Sequence, residues 1–431
     1  MDSLFGQVGW SEYSGTPTGQ LLITSNWIGE KEAFALKAVI LAAGEGTRLR
    51  PFTNSRPKVM IPVANKPILY HVVRALVESG VKDIVLVVGY KKERIMSYFG
   101  DGKSFGANIQ YSFQEKQLGT AHALSTAKDH LKEDFLVIAG DNLIDARTIG
   151  DLLTHGKGMS LAVTTSESPS KYGVVSIEGG QVTNIVEKPQ KRMGNIISTG
   201  LYRFTPEIFR FVEKGIDLGE GAITNILQLN LAKLSLHPVQ TTGRWMDAVY
   251  PWDLLRLNGV ALEMEGQDVS GTVENSVVLR GPVMIGTGTR IRSGSYIEGP
   301  VVIGEGSDIG PNVNIMPSTS IGDNVMIQPF TFIEESLITS NVTIGSHSHL
   351  SHCVLDDGVS IGPGFRAPAD AAVVQVDKEF FHLARIGSLI GENSKVGSGV
   401  VAGSGSIIGA ECRIGNQAKV SGNLENRSIV V

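Results

Sequence analysis

The chain has 431 residues, more than one ordinary hydrophobic core organises, so at least two domains are expected. Its 42% hydrophobic content, few aromatics and net charge of -5 are those of a soluble globular protein, without the bulk basic field that a nucleic-acid partner would require. No apolar stretch has the length of a membrane span, Met1-Asp2-Ser3-Leu4 lacks the features of a secretory signal, and Cys353 and Cys412 have neither disulfide-framework nor metal-ligand spacing, so a cytoplasmic protein with buried thiols is expected.

Residues 1–36 hold Trp10, Gly15, Pro17, Gly19 and Trp27 without a sustained period and read as an extension ahead of the first strand. From Lys37 the pattern becomes strand, loop, helix. Ala38-Val39-Ile40-Leu41-Ala42 is a short apolar run, a helix is expected over 68–78, and 83–89 and 134–140 repeat the buried-strand pattern. Such runs separated by helices indicate a Rossmann-like α/β layer over 37–252 with a largely parallel sheet, its chemistry at the carboxyl ends of the strands.

The first of those ends carries Ala43-Gly44-Glu45-Gly46-Thr47-Arg48-Leu49-Arg50-Pro51. Glycines let backbone N–H groups approach phosphate oxygens, and Arg48 adds a cation. A third glycine is missing at Leu49 and no Gly-Lys-Ser/Thr follows, which weakens the dinucleotide-fold and P-loop readings. Pro57-Lys58 brings a second cation on a proline-punctuated stretch. Farther on, Asp141 follows a buried strand and Asp247 lies in Trp245-Met246-Asp247; two carboxylates together with substrate phosphates suit Mg²⁺.

Gly44-Glu45-Gly46-Thr47-Arg48-Leu49, then Pro51, Thr53, Pro57-Lys58 and Lys66-Pro67, resembles the signature of the sugar-nucleotide pyrophosphorylases, and the resemblance covers about residues 37–260. It implies a nucleotidyltransferase in which Arg48 and Lys58 carry the catalysis and Leu41, Ala43, Gly44, Gly46, Gln114, Gly119 and Thr120 hold the nucleoside triphosphate. Gly173, Glu187, Lys188 and Thr199 would hold the sugar 1-phosphate, and Asp141 and Asp247 the Mg²⁺. The Gln114 segment is closer to the uridylyl than to the thymidylyl version, while Ser198 leaves glucose 1-phosphate in competition with N-acetylglucosamine 1-phosphate as acceptor. A non-catalytic regulatory subunit is the reading from another class.

After a linker helix at 253–267, isoleucines and leucines recur at every sixth position from Leu279 to Ile333, slip by one residue, and continue through Ile338, Ile344, Leu350, Leu355 and Ile361. Following an interruption from about Phe365 to Arg385, the register returns at Ile390 and runs to Val420. A six-residue period fits neither helix nor flat sheet but suits the triangular coils of a parallel β-helix over 268–431. Joined to the first domain, it resembles the bifunctional N-acetylglucosamine-1-phosphate uridyltransferase and glucosamine-1-phosphate acetyltransferase family. That resemblance implies a left-handed β-helix, a homotrimer and acetyl-CoA as a further substrate, with His349 of His349-Leu350-Ser351 as the acetyl-transfer base. Against the second activity, His352 stands where a tyrosine is expected and 362–370 departs from the amino-sugar motif. Phe380, Phe381 and Leu383 in the interruption would either cover a neighbouring subunit or form a plain surface loop.

Overall fold

The computed structural model describes residues 36–431 except Lys157 and Arg192; the extension expected before them, with Trp10 and Trp27, lies outside the described residues. Among the described residues no helix is long and apolar enough to cross a membrane.

The amino-terminal sheet has nine strands, and its centre is parallel. Lys37–Ala42 lies between Phe135–Ala139 and Asp83–Val88, and Asn108–Phe113 extends the parallel set. Beyond Phe135–Ala139 the direction changes: Ile196–Phe204 runs antiparallel to it, and a hairpin of Gly173–Glu178 and Gln181–Glu187 closes that edge. The sheet is therefore mixed. The edge hairpin has a local cause, because Gly179 and Gly180 both take positive φ and form a tight two-residue turn between its antiparallel strands. The expected helix is present as Ile68–Glu78, with Leu69, Val72, Val73 and Leu76 buried along one stripe against the sheet.

The carboxyl-terminal part is a β-helix of three stacked parallel sheets of nine, nine and eight short strands. The six-residue register is its core: Ile285, Ile303, Ile321 and Ile338 stack in one column, and every one is buried. The structure moves the start of the interruption. Phe365 is fully buried in this core and Ala367 pairs with Leu350, so the coil continues to Ala367. The inserted segment is an antiparallel hairpin, Asp370–Val376 with Glu379–Ile386. It is not a plain loop, and its inner face packs on the same chain, where Phe381 meets Tyr250 and Trp252.

One face of the β-helix carries a second apolar row. Val302, Leu337, Val354, Leu389 and Ile407 each precede an inward residue and point the other way, into a cluster with Leu49, Phe52, Ile61 and Val63 and with Leu254, Leu257 and Ala261 of the helix Asp253–Leu262. The stretch that follows the glycine loop thus lies directly on the β-helix. Asn258, fully buried, joins three segments there: its Oδ1 accepts from the Ala64 N–H at 2.9 Å and the Ser320 hydroxyl at 2.7 Å, and its Nδ2 donates to Ser318 O at 3.2 Å.

Candidate functional site

At the carboxyl end of Lys37–Ala42 the chain turns through Gly44 and Gly46 into a single 3₁₀ turn, Thr47–Leu49. Gly46 has φ +77°, and a Cβ there would lie 2.5 Å from Lys58 Cβ, so only glycine lets Lys58 pack against the loop. The buried Thr53 hydroxyl donates to Gly46 O at 3.0 Å and pins the turn. Leu49 points down onto the β-helix, which leaves Arg48 exposed at the rim.

Lys58 is the centre of the site. Its Nζ lies 2.5 Å from Asp141 Oδ2 and 3.0 Å from Asp247 Oδ1. Asp141 follows the strand Phe135–Ala139, and Asp247 is carried by Trp245–Asp247, which pairs antiparallel with Asn142–Ile144. Residues far apart in sequence thus converge on one nitrogen. Burial alone would lower the lysine pKa, but the two carboxylates override it and hold the ammonium above its ordinary value. For Asp247 the balance goes the other way: burial and the neighbouring Asp141 charge raise its carboxyl despite Lys58. Two hard oxygen donors converging on one point fit Mg²⁺. Among the described residues no group of three or more His, Cys, Asp or Glu side chains forms a metal cage, so the remaining ligands would come from phosphate and water, as this cation prefers.

On one side of this junction, Gln114 is buried beside the strand end and its Nε2 donates both hydrogens, to Gly119 O and to His122 Nδ1, each at 3.0 Å. Gly119, at φ +99°, sits where a Cβ would collide with the Gly221 carbonyl. Gln117 Nε2 reaches back to Ala43 O at 3.3 Å and ties this segment to the glycine loop. On the other side, Glu187 pairs across the hairpin with Gly173; its carboxylate accepts from the Thr224 hydroxyl at 3.2 Å and lies 3.9 Å from Lys188 Nζ. The Thr199 hydroxyl donates to Ala162 O at 2.8 Å, while Thr199 O accepts from the Trp245 indole N–H at 2.9 Å. Thr199 therefore frames the wall instead of offering a free hydroxyl.

All of these groups line one cavity of about 730 Å³. It gathers Leu41, Ala43, Gly44, Gly46, Arg48 and Lys58, then Gln114, Gly119 and Thr120, then Asp141 and Asp247, and finally Gly173, Glu187, Lys188 and Thr199. His349 is not among them. It lies on the outside of the β-helix strand His349–Ser351, exposed, with its ring stacked on Phe332 at 5.1 Å. Lys171, Thr224 and Val249 also line the cavity and were not singled out from sequence. Of these, only Lys171 carried a usable signal, its position directly before Tyr172-Gly173.

Two family models match the chain. The Nucleotidyl transferase model matches residues 37–259, and the GMPPB C-terminal domain model matches residues 297–381. The Bifunctional protein GlmU of Methanococcus maripaludis (strain C5) is 36% identical over 373 residues, 84% of this chain and 89% of that protein. The UTP–glucose-1-phosphate uridylyltransferase AglF of Haloferax volcanii is 37% identical over 228 residues, 51% of this chain and 93% of its own length. A putative glucose-1-phosphate thymidylyltransferase from Bacillus anthracis superimposes with a TM-score of 0.50 at 28% identity, over 54% of this chain and 98% of that one. With the glycine loop, the Lys58 junction and a matching model over more than half its length, the chain belongs to the nucleotidyl transferase family of enzymes, in a form that carries a C-terminal β-helix.

Proposed function

We propose that the enzyme transfers a nucleotidyl group from a pyrimidine nucleoside triphosphate, UTP in preference, to a sugar 1-phosphate and releases pyrophosphate. The convergence of Lys58, Asp141 and Asp247 between the glycine loop and the Glu187–Lys188 wall carries this reading. A sugar phosphate oxygen is anionic at neutral pH and attacks the α-phosphorus without a general base. The chain's task is then to hold two polyanions in line and offset their charge. Arg48 meets the departing pyrophosphate, Lys58 the α-phosphate, and Lys188 the sugar phosphate, with Glu187 accepting from sugar hydroxyls. Mg²⁺ held by Asp141 and Asp247 would supply further positive charge where the two phosphates meet.

The base preference follows from Gln114. With both Nε2 hydrogens committed, its Oε1 is an acceptor for a base N–H. Uracil and thymine present such an N–H at N3, where cytosine has an acceptor; the choice of uracil over thymine rests on the uridylyl-like Gln114 segment. Among acceptors we favour N-acetylglucosamine 1-phosphate over glucose 1-phosphate, because relatives named GlmU match across both domains whereas AglF matches only the catalytic part. Pyrophosphate release measured with UTP, dTTP, CTP and ATP against each sugar phosphate should give the highest kcat/KM for UTP with N-acetylglucosamine 1-phosphate. A purine or cytosine preference would overturn the base assignment.

A second activity, acetyl transfer from acetyl-CoA to glucosamine 1-phosphate at His349, is supported by one observation: the bifunctional relatives extend over the β-helix that bears this outward imidazole. Transfer by the parent protein that disappears in His349→Ala would support it, and no transfer by the parent would leave the β-helix as an assembly module. For that module we propose a homotrimer, read by light scattering; a monomeric mass would refute it.

A further inference from the structure

Lys171 enters the cavity from the turn Pro169–Lys171, and it differs from the neighbouring lysines. Lys58 sits between two carboxylates and Lys188 faces Glu187, whereas Lys171 and Arg48 have no ion pair among the described residues. Lys171 Nζ instead lies 5.7 Å from the centroid of the Tyr250 ring. Tyr250 is buried and rigidly backed. It stacks on Trp252 at 5.0 Å, and Phe381 of the β-helix hairpin meets the two rings at 4.3 and 5.2 Å. Arg48, Lys171 and Val249, the residue before Tyr250, all line the cavity. An ammonium steadied on an aromatic face, without a carboxylate to neutralise it, is prepared for an anionic oxygen.

We propose that Lys171 binds the pyrophosphate end of the nucleotide beside Arg48, and that Phe381, through Tyr250, is a positioning residue that the β-helix contributes to this site. Two lining cations without an ion pair among the described residues suit the more highly charged of the two phosphate ligands. The identity of the anion rests on the nucleotidyl-transfer reading.

The test is calorimetric titration of the full chain with inorganic pyrophosphate in Mg²⁺, together with the kinetics of pyrophosphate release. Losing one charge-assisted contact in Lys171→Ala should weaken pyrophosphate binding about tenfold and raise the KM for UTP similarly, with the KM for the sugar phosphate nearly unchanged. Lys171→Arg should restore most of the binding. Phe381→Ala should weaken pyrophosphate about threefold, and Phe381→Tyr should stay near the parent. Unchanged pyrophosphate binding in Lys171→Ala, a loss confined to the sugar phosphate, or a parent that does not bind pyrophosphate would overturn the assignment. A parent that binds pyrophosphate but turns over no substrate pair would instead refute the transfer reading.

Discussion

Gly46 shows how narrowly single residues are constrained at the junction. An alanine there would combine an unfavourable left-handed φ with a Cβ that meets Lys58 Cβ at 2.5 Å. Gly46→Ala is expected to cost about 1–3 kcal/mol of stability and to lower kcat roughly 100-fold through the displaced ammonium, read by thermal melts and pyrophosphate release. His71 gives a pH prediction. It is buried in the helix Ile68–Glu78, with Nε2 donating to Val63 O at 3.2 Å and Nδ1 unpartnered, and burial lowers its pKa to about 4. A histidine held neutral in the fold contributes stability that is present above its unfolded pKa near 6.5 and lost as pH falls toward 4. The unfolding free energy should therefore fall by up to about 3 kcal/mol over that window, and His71→Gln should flatten the dependence. An equal slope in both proteins would contradict it.

At this scale the contiguous parts of the site were legible, because glycines, Arg48 and Lys58 lie in one short stretch whose chemistry is local. Thr224 and Val249 were not, since nothing beside them in the sequence marks them and only the fold brings them to the cavity, while Lys171 was marked only by its place before Tyr172-Gly173. The detail of Gln114 was also hidden: sequence suggested a base-reading amide, but which end of the amide stays free depends on Gly119 and His122.

Among elements, the β-helix was the most legible, because its period is local and each repeat places one apolar residue inward. Its interruption was less so. Ala367 holds the register with too small a side chain to be noticed, and a hairpin whose inner face packs on Tyr250 and Trp252 has no repeat signal of its own. The mixed sheet was only half visible: the central strands Lys37–Ala42, Asp83–Val88 and Phe135–Ala139 are mainly apolar, whereas Gln181–Glu187 is mostly polar and is paired with Gly173–Glu178 through the Gly179-Gly180 turn. The helix Asp253–Leu262 is more than a connector, because Asn258 fastens the loop after Lys58 to the β-helix. Asn258→Ala would leave the buried Ala64 N–H without an acceptor and should destabilise the protein by about 2 kcal/mol or more, with urea midpoints as the readout. A midpoint within error of the parent would mean that water replaces the joint.

For the whole molecule, the β-helix is the floor of the catalytic loop. Arg56, two residues before Lys58, is buried with Nη2 2.8 Å from Asp356 Oδ1 and 2.9 Å from Asp357 Oδ2, and Leu49 and Phe52 lie against Val354, Leu389 and Ile407. Burial lifts the Asp356 carboxyl to about 7 against the pull of Arg56, so this clasp joins the domains without being a simple surface pair. The glycine loop and the β-helix thus form one structural unit, with the repeat array supporting the stretch that carries Arg48 and Lys58. Nucleotidyl transfer at the Lys58–Asp141–Asp247 junction is tested most directly by steady-state pyrophosphate release by the folded full chain and by Asp247→Ala, with UTP and N-acetylglucosamine 1-phosphate in Mg²⁺. The geometry predicts turnover by the parent and a fall of roughly 100- to 1,000-fold in the variant with its melting transition preserved; equal rates in the two proteins would contradict it.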